Sequence, residues 1–365
     1  MDGINRFKHP ECNHAAATAN RCPMNATQNP SLPNRISVSI ITGFLGCGKT
    51  TLLNHLVRHP GMDSVALIIN EFGEIGLDNL LVETSIENTL LLENGCICCS
   101  VRGDLIDTVV DLLAKARNGT ISKFSRILIE TTGLADPGPI INTLQNQRVM
   151  AENCRLDSVV TLIDGVQGKS QAFAYPEAMT QIAQADVGLI TKRDLIGDEK
   201  AAGLKAFAER INPALEVAAI ENGHVAPGFL FGRDDTRSIA ELSIGTADSL
   251  HRGHQHGHDA AVEHRHGDIS TWSFVDEAPL DRDRLYAWLR MVYSLRASYM
   301  LRLKGLIRLD GYDCPLLLQG VGPVLSRPQF MPEWPKGKEV TRLVFIVKGL
   351  PKDKLSVSFL RHVAS

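Results

Sequence analysis

The stretch Gly43-Phe44-Leu45-Gly46-Cys47-Gly48-Lys49-Thr50 decides the fold of this 365-residue chain. It fits the pattern G-x-x-x-x-G-K-[ST] at every fixed position. The apolar residues 37–42 before it predict a buried strand, and residues 51–59 after it predict a helix. A glycine-rich loop between a strand and a helix is the setting in which this pattern binds phosphate groups. We therefore predict a phosphate-binding loop, or P-loop.

The residue types of this loop explain how it would hold a nucleotide. Glycines let successive backbone N–H groups point inward around phosphate oxygens, and the N-terminus of the following helix adds partial positive charge. Lys49 would reach the β- and γ-phosphates, and the Thr50 hydroxyl would bind Mg²⁺. The predicted nucleotide-binding residues of the segment are Gly43, Gly46, Cys47, Gly48, Lys49, Thr50 and Thr51.

A second predicted strand, residues 126–130, ends in a carboxylate and is followed by a turn. Glu130 is the expected partner of Lys49 in catalysis, either binding Mg²⁺ together with Thr50 or positioning water. Thr132 and Gly133 would sense the γ-phosphate through a backbone N–H. The alternative interpretation is an ordinary strand end.

The segment Thr191-Lys192-Arg193-Asp194 resembles the guanine-reading element N-K-x-D and also follows a predicted strand. The Asp194 carboxylate would accept hydrogen bonds from N1–H and the exocyclic amine of guanine, a donor pair that adenine lacks. Lys192 would lie along the base or brace the P-loop. Thr191 stands where the element usually has Asn. The pattern favours GTP over ATP as the bound nucleotide.

Three thiols lie within four positions, at Cys96, Cys98 and Cys99. Thiolates are soft ligands that suit Zn²⁺, Cu⁺ and related ions, so the cluster predicts a transition-metal site. A redox cysteine pair and buried inert thiols are the alternatives.

Six of the 12 histidines also fall within 16 residues. They predict an auxiliary metal-binding tract, with a polar linker that binds metal adventitiously as the alternative; they are His251, His254, His256, His258, His264 and His266.

Taken in chain order, these motifs resemble the CobW-like metallochaperone GTPases, which include the zinc-regulated GTPase metalloprotein activators. The resemblance is carried by the P-loop, by N-E-F-G-E at residues 70–74, by residues 93–105 and by residues 130–137. It implies a GTPase whose metal site lies beside its switch regions. The cysteine cluster matches the family motif, and Glu74 matches a carboxylate that helps to complete the metal shell. Ile69 departs from the pattern, since some relatives have another potential carboxylate ligand there.

The resemblance also implies a function. The chain would hydrolyse GTP with Mg²⁺, bind zinc, and transfer it to a client apo-metalloenzyme, with metal affinity coupled to nucleotide state. One alternative keeps the GTPase but delivers cobalt or nickel, because ligand types alone do not fix the metal. Another alternative is a zinc buffer or sensor, in which the thiols and the histidine tract store metal and GTP changes only the conformation of the protein. A small-molecule kinase would share the P-loop but would leave the cysteine cluster unexplained.

Short apolar strands alternate with helices up to about residue 220, which predicts an α/β fold with a mostly parallel sheet covered on both faces. We divide the chain into a flexible tail at residues 1–35, a P-loop GTPase domain at 36–225, a His-rich linker at 226–267 and a small α+β C-terminal domain at 268–365. Within the last domain, residues 281–303 are predicted to be mainly helical.

Composition sets the broad class. At 44% hydrophobic and 22% charged residues, the chain can bury a core, and its net charge of −3 gives no basic field for nucleic acid. Residues 268–365 carry 15 Lys and Arg against 10 Asp and Glu, which permits a basic face there. There is no apolar run of transmembrane length and no signal sequence, so no membrane partner is expected and the predicted location is cytoplasmic. A homodimer is left open.

Overall fold

The computed structural model describes residues 35–62, 64–69, 89–93, 103–232, 249–250, 269–335 and 339–364. Within these ranges the chain forms two sheets of seven strands each. The first sheet is parallel and lies in the P-loop part of the chain, and the second lies in the C-terminal part. This confirms the predicted α/β class with a separate α+β C-terminal domain. Among the described residues, no helix is long and apolar enough to cross a membrane.

The first sheet has the strand order β3-β2-β4-β1-β5-β6-β7, and every neighbouring pair is parallel. Because all strands run the same way, their carboxyl ends meet at one edge, where open α/β sheets bind ligands. Its strands are β1 (Ile36–Gly43), β2 (Val65–Ile69), β3 (Thr89–Glu93), β4 (Arg126–Glu130), β5 (Cys154–Asp164), β6 (Val187–Thr191) and β7 (Glu216–Ala219).

Helices cover both faces of this sheet, so its central strands β1 and β4 are buried along almost their whole length. Val38 and Ile40 of β1 belong to the core on one face, whereas Ile41 belongs to the core on the other. The helices are α1 (Lys49–Val57), α2 (Gly103–Arg117), α3 (Gly138–Asn146), α4 (Arg148–Asn153), α5 (Gly168–Ala174), α6 (Pro176–Gln184), α7 (Asp198–Ile211) and α8 (Pro227–Leu230). In α8, Leu230 is fully buried in the second core, so ordered packing continues beyond the predicted boundary at residue 225.

The C-terminal sheet is antiparallel except for the pairing of its first two strands. Its strands are β8 (Ser249–Leu250), β9 (Ile269–Asp276), β10 (Met300–Ile307), β11 (Leu316–Val321), β12 (Val324–Leu325), β13 (Gln329–Phe330) and β14 (Thr341–Lys348). Two helices, α9 (Arg282–Arg296) and α10 (Lys352–His362), cover one face through aromatic contacts such as Trp288 with Phe345 and Phe359.

The prediction of helix through residue 303 was wrong, because α9 ends at Arg296 and β10 begins at Met300. In β10 the alternation of side chains between the two faces is interrupted by a register irregularity between Met300 and Arg302. Leu303 packs in the aromatic core beneath the helices, whereas Leu301 packs against the nucleotide domain. The strand is buried on both faces although it contains Arg302 and Lys304, and residues 301–304 alternate apolar and basic with the period of a strand, a signal that the helical prediction passed over.

The second face of the C-terminal sheet packs directly on the nucleotide domain. Leu301, Val321, Val344 and Ile346 are buried in the same hydrophobic cluster as the core of the first sheet. The two domains therefore share one continuous apolar interface.

A buried ion cluster lies within this interface. Asp186, which directly precedes β6, pairs with Arg302 and with Lys304, whose Nζ is 2.7 Å from the Asp186 Oδ1. Arg302 also donates to the carbonyl of Gln184 at 3.1 Å, and the backbone N–H of Val159 donates to Asp186 at 2.9 Å. Burial alone would raise the pKa of Asp186, but Arg302 and Lys304 lower it to about 2. The carboxylate is thus ionised and fixes two cations of the C-terminal domain.

We predict that Asp186→Asn destabilises the protein by about 3–5 kcal/mol, because it leaves two buried cations without their anion. All three tryptophans, Trp272, Trp288 and Trp334, lie in the C-terminal domain, so denaturant unfolding followed by tryptophan fluorescence reports on the far side of the interface. The folded pKa is below the ordinary value of 3.8, so this contribution is present above that pH and is lost as pH falls toward 2.

Asp198→Asn is the matched control, because Asp198 pairs with Arg193 at the surface with 88% of its side chain exposed. Exposed pairs contribute about 0–1 kcal/mol. Equal shifts in the unfolding midpoint for the two variants would contradict the assignment of a stabilising role to the buried cluster.

Candidate nucleotide-binding site

Four neighbouring strands bring the predicted nucleotide-binding segments to one edge of the parallel sheet. In the order β4-β1-β5-β6, their carboxyl ends are Glu130, Gly43, Asp164 and Thr191. The P-loop follows β1, which lies between β4 and β5 in the sheet. Parallel pairing alone therefore brings together residues that are separated by more than a hundred positions in the chain.

The P-loop adopts a conformation that its glycines permit. Gly48 has a φ of 94° at the N-terminus of α1, in the left-handed region that favours glycine. A Cβ on Gly43 would lie 2.6 Å from the carbonyl oxygen of Leu162. The ammonium of Lys49 folds back and donates to the Gly43 carbonyl at 3.1 Å. Lys49 thus lies at the mouth of the loop, while Thr50 is half-buried and Thr51 exposed in the first turn of α1.

Cys47 is fully buried against the apolar residues of α1. Burial raises the pKa of its thiol to about 11, against the opposing effect of Lys49, so the thiol is protonated at neutral pH. Its side chain points into the core and offers no ligand to a nucleotide. A role of Cys47 in binding, as predicted from the loop pattern, is therefore limited to its backbone.

Thr191 joins the base-reading segment to the P-loop. Its hydroxyl is buried and lies 2.8 Å from the carbonyl oxygen of Cys47, to which it donates. A short hydroxyl side chain is sufficient for this contact because β6 passes close to the loop. The replacement of Asn by Thr in this element therefore still provides a bridge to the phosphate-binding loop.

Asp164 holds Lys192, the residue that follows Thr191 in the base-reading segment. The sequence analysis did not identify Asp164. Lys192 has a left-handed backbone with φ of 56°, and its Nζ lies 2.7 Å from the Asp164 Oδ2. The other oxygen of Asp164 accepts from the N–H groups of Val166 and Gln167. Burial would raise the pKa of Asp164, but Lys192 and these N–H groups hold it below its ordinary value. The signal in the sequence was an acid that ends an apolar strand.

Asp194 lies in a short 3₁₀ turn, Arg193–Leu195, just beyond Lys192, and it is exposed to solvent. The neighbouring Arg193 forms ion pairs with Asp198 and with Glu221, so its guanidinium is directed to these two residues. The carboxylate of Asp194 is therefore accessible at the same sheet edge as the P-loop.

The segment after β4 packs directly on the P-loop. Glu130 is buried, and Thr131 is tied to β1 by its N–H to Ile41 and by its hydroxyl to Thr42 at 2.8 Å. A Cβ on Gly133 would lie 2.7 Å from the backbone nitrogen of Leu45, so only glycine fits there. Thr132 and Gly133 are thus held beside the phosphate-binding loop.

The predicted transition-metal ligands lie outside the described residues. They are Glu74, Cys96, Cys98 and Cys99, with the auxiliary His251, His254, His256, His258, His264 and His266. In the part of the chain that the structure describes, no three or more side chains of His, Cys, Asp or Glu are arranged to hold a metal ion.

Two family models match the chain. Residues 37–219 match the CobW/HypB/UreG nucleotide-binding domain, and residues 269–362 match the C-terminal domain of the cobalamin synthesis protein cobW. The chain belongs to the CobW/HypB/UreG family. The resemblance drawn from its motifs is thereby confirmed. Both halves of this CobW-family protein, the P-loop domain and the antiparallel C-terminal sheet, are covered by the matches.

Curated relatives extend over nearly the whole chain. The zinc chaperone YjiA of Escherichia coli strain K12 is 34% identical over 326 residues, which is 89% of this chain and 98% of the relative. The zinc chaperone CobW of a Sinorhizobium species is 31% identical over 348 residues, covering 86% of this chain and 92% of the relative. A zinc-regulated GTPase metalloprotein activator 1 of Schizosaccharomyces pombe is 29% identical, covering 57% of this chain and 49% of the relative.

Solved structures agree with these relatives. The crystal structure of the Zn(II)-bound YjiA GTPase from E. coli has a TM-score of 0.68 and 29% identity, covering 90% of this CobW-family chain and 99% of that one. A Zn(II)-bound triple mutant of YjiA, in which one glutamate and two adjacent cysteines are replaced by alanine, matches with a TM-score of 0.69 over the same shares.

We predict that Thr191→Val weakens nucleotide binding about tenfold, because the buried carbonyl of Cys47 then loses its donor. Titration with a fluorescent GTP analogue measures the effect. Thr191→Ser is the matched control, since it keeps the hydroxyl and is expected to bind within about twofold of the parent. Unchanged affinity in the valine variant would show that the bridge to the P-loop does not support binding.

Proposed function

We propose that this protein is a GTPase that binds zinc and delivers it to a client apo-metalloenzyme, with its metal affinity coupled to the bound nucleotide. The observation that carries the proposal is the convergence of the P-loop, the Glu130–Gly133 segment and the Thr191–Asp194 segment at one sheet edge. Relatives at 34% and 31% identity that are named zinc chaperones support zinc as the cargo.

The geometry of the sheet edge supports the nucleotide half of the proposed function. Lys49 and the N–H groups of the loop would hold the β- and γ-phosphates, and the exposed Asp194 would select guanine. The hydroxyl of Thr50 and the carboxylate of Glu130 are hard oxygen ligands that suit Mg²⁺, which would neutralise charge on the phosphates when bound. Gly133 would present its backbone to the γ-phosphate. The resulting hydrolysis depends on positioning and charge stabilisation rather than on covalent chemistry.

The metal half rests on the cysteine motif. Cys96, Cys98 and Cys99 would supply thiolates, and Glu74 a carboxylate, for a zinc ion that is cargo rather than a resident cofactor. The histidine tract at residues 251–266 would act as an auxiliary store. Zn(II) in a YjiA variant without one glutamate and two cysteines supports the view that such proteins hold zinc at more than one place.

The order of strands supports coupling between the two halves. Across three neighbouring strands, Ile69 of β2 is paired in register with Glu93 of β3 and with Glu130 of β4. Strands β2 and β3 therefore end level with Glu130 of β4. In the sequence, the predicted metal ligands Glu74 and Cys96 follow these two strand ends by five and three residues. A change beside Glu130 on hydrolysis would act directly on the two strand ends that precede the predicted metal-binding segments.

The coupling predicts that zinc affinity differs by about tenfold or more between the protein with Mg²⁺ and a GTP analogue and the protein with GDP. A competitive titration with a chromogenic zinc chelator measures it, and a parallel Co²⁺ titration ranks the metals. A variant with all six tract histidines replaced by asparagine removes the competing store. Cys96, Cys98 and Cys99 replaced together by serine should abolish tight binding but keep nucleotide binding.

Equal zinc affinity in the two nucleotide states would contradict the delivery switch and favour a zinc buffer. Tighter Co²⁺ than Zn²⁺ binding, judged against the usual affinity order of the two ions, would favour a cobalt client instead.

A separate prediction concerns turnover. Lys49→Ala should lower GTP hydrolysis by about two to three orders of magnitude, because the charge that stabilises the transferring phosphate is lost. Phosphate release from Mg²⁺–GTP measures it. Lys205→Ala is the control, since Lys205 is an exposed residue of α7 paired with Glu209. Full turnover in the Lys49 variant would contradict the assignment of the P-loop.

A further inference from the structure

A buried glutamine on α6 holds the segment that follows Glu130. Gln181 has only 1% of its surface exposed, and its Nε2 donates to the carbonyl of Gly133 at 3.2 Å and to the carbonyl of Ala135 at 3.0 Å. Both N–H groups of one side-chain amide are thus directed at two carbonyls of a single short segment. Resting on the proposed GTPase function, we propose that Gln181 is a positioning residue for GTP hydrolysis.

The segment from Thr132 to Ala135 lies between Gln181 and the P-loop. On one side its carbonyls accept from Gln181, and on the other side Gly133 packs against the backbone of Leu45 without room for a Cβ. Its start is tied to β1 through Thr131. The segment is therefore fixed from two directions at the point where it meets the phosphate-binding loop.

Peptide geometry explains why the two hydrogen bonds matter. In a trans peptide the C=O and the N–H point in opposite directions, so fixing a carbonyl also fixes the N–H of the next residue. Gln181 thereby sets the orientation of the peptide planes after Gly133 and after Ala135. The N–H of Gly133 lies in the preceding peptide, so Gln181 acts on it by fixing the chain on the other side of the same Cα. Backbone donors that stabilise charge on a transferring phosphate act best when they are preorganised, and small misplacements are costly.

The helix that carries Gln181 is itself held rigidly. Asn212 donates from its Nδ2 to the carbonyls of Ile182, Ala183 and Ala185, at 3.2, 3.2 and 2.8 Å. Arg302 of the C-terminal domain donates to the carbonyl of Gln184. The last turn of α6, in which Gln181 lies, is thus fixed by two other elements. Because this turn of α6 is held in place, the side chain of Gln181 can fix the conformation of the segment from Thr132 to Ala135, which it contacts.

The test compares Gln181→Leu with Gln184→Leu in the full chain. Gln184 lies on the same helix, is equally buried at 1% exposure, and its side-chain carbonyl has no hydrogen-bond partner among the described residues. Steady-state GTP hydrolysis gives kcat and KM, and thermal unfolding gives Tm. We expect kcat of Gln181→Leu to fall at least about tenfold with KM within about twofold, while Gln184→Leu keeps kcat within about twofold of the parent.

Gln181→Glu gives a second measurement that does not depend on packing, because it keeps the volume and replaces a donating amide by an accepting carboxylate. It should also lower kcat, with GDP affinity unchanged as evidence of an intact fold. If both Gln181 variants keep the kcat of the Gln184 variant, the positioning role is overturned. If the parent protein itself does not hydrolyse GTP, the proposed GTPase function fails instead, so the two failures are distinguishable.

Discussion

Parallel pairing of β4, β1, β5 and β6 is the constraint on which the rest of this structure depends. It places the P-loop, Glu130, Asp164 and Thr191 at one edge of the sheet, and each contact described there follows from that closeness. Thr191 can bridge to Cys47 and Lys192 can reach Asp164 only because β6 and β5 end at the same level. The glycines of the loop then allow its backbone to fit between them.

Much of the fold could be read from the sequence, because the parallel strands are short apolar runs between helices with clear ends. The P-loop could be read for a similar reason, since its chemistry is local and its spacing fixed. Asp164 and Gln181 could not, because their importance comes from partners that are distant in sequence, at Lys192 and Gly133. The start of β10 was missed although Leu301-Arg302-Leu303-Lys304 alternates with a strand period, because the two basic residues are typical of an exposed helix face and their burial depends on the distant Asp186.

The helix α6 connects the nucleotide site with the C-terminal domain. Near its end Gln181 contacts the segment beside the P-loop, while the carbonyl of Gln184 and the adjacent Asp186 bind Arg302. One short helix thus contacts both the segment where the γ-phosphate would be sensed and a domain held by a buried ion cluster. A displacement of that segment would act on the helix that contacts the second domain, so α6 physically connects the segment beside the P-loop with the C-terminal domain.

If the nucleotide and zinc sites are coupled as proposed, the coupling between the two binding equilibria must be reciprocal. The most direct measurement is the Kd of a non-hydrolysable GTP analogue, with Mg²⁺, in the presence and absence of saturating Zn²⁺. Reciprocal coupling predicts that zinc changes this Kd by the same factor by which the analogue changes zinc affinity, and that serine at Cys96, Cys98 and Cys99 abolishes the effect. An identical Kd with and without zinc would contradict it.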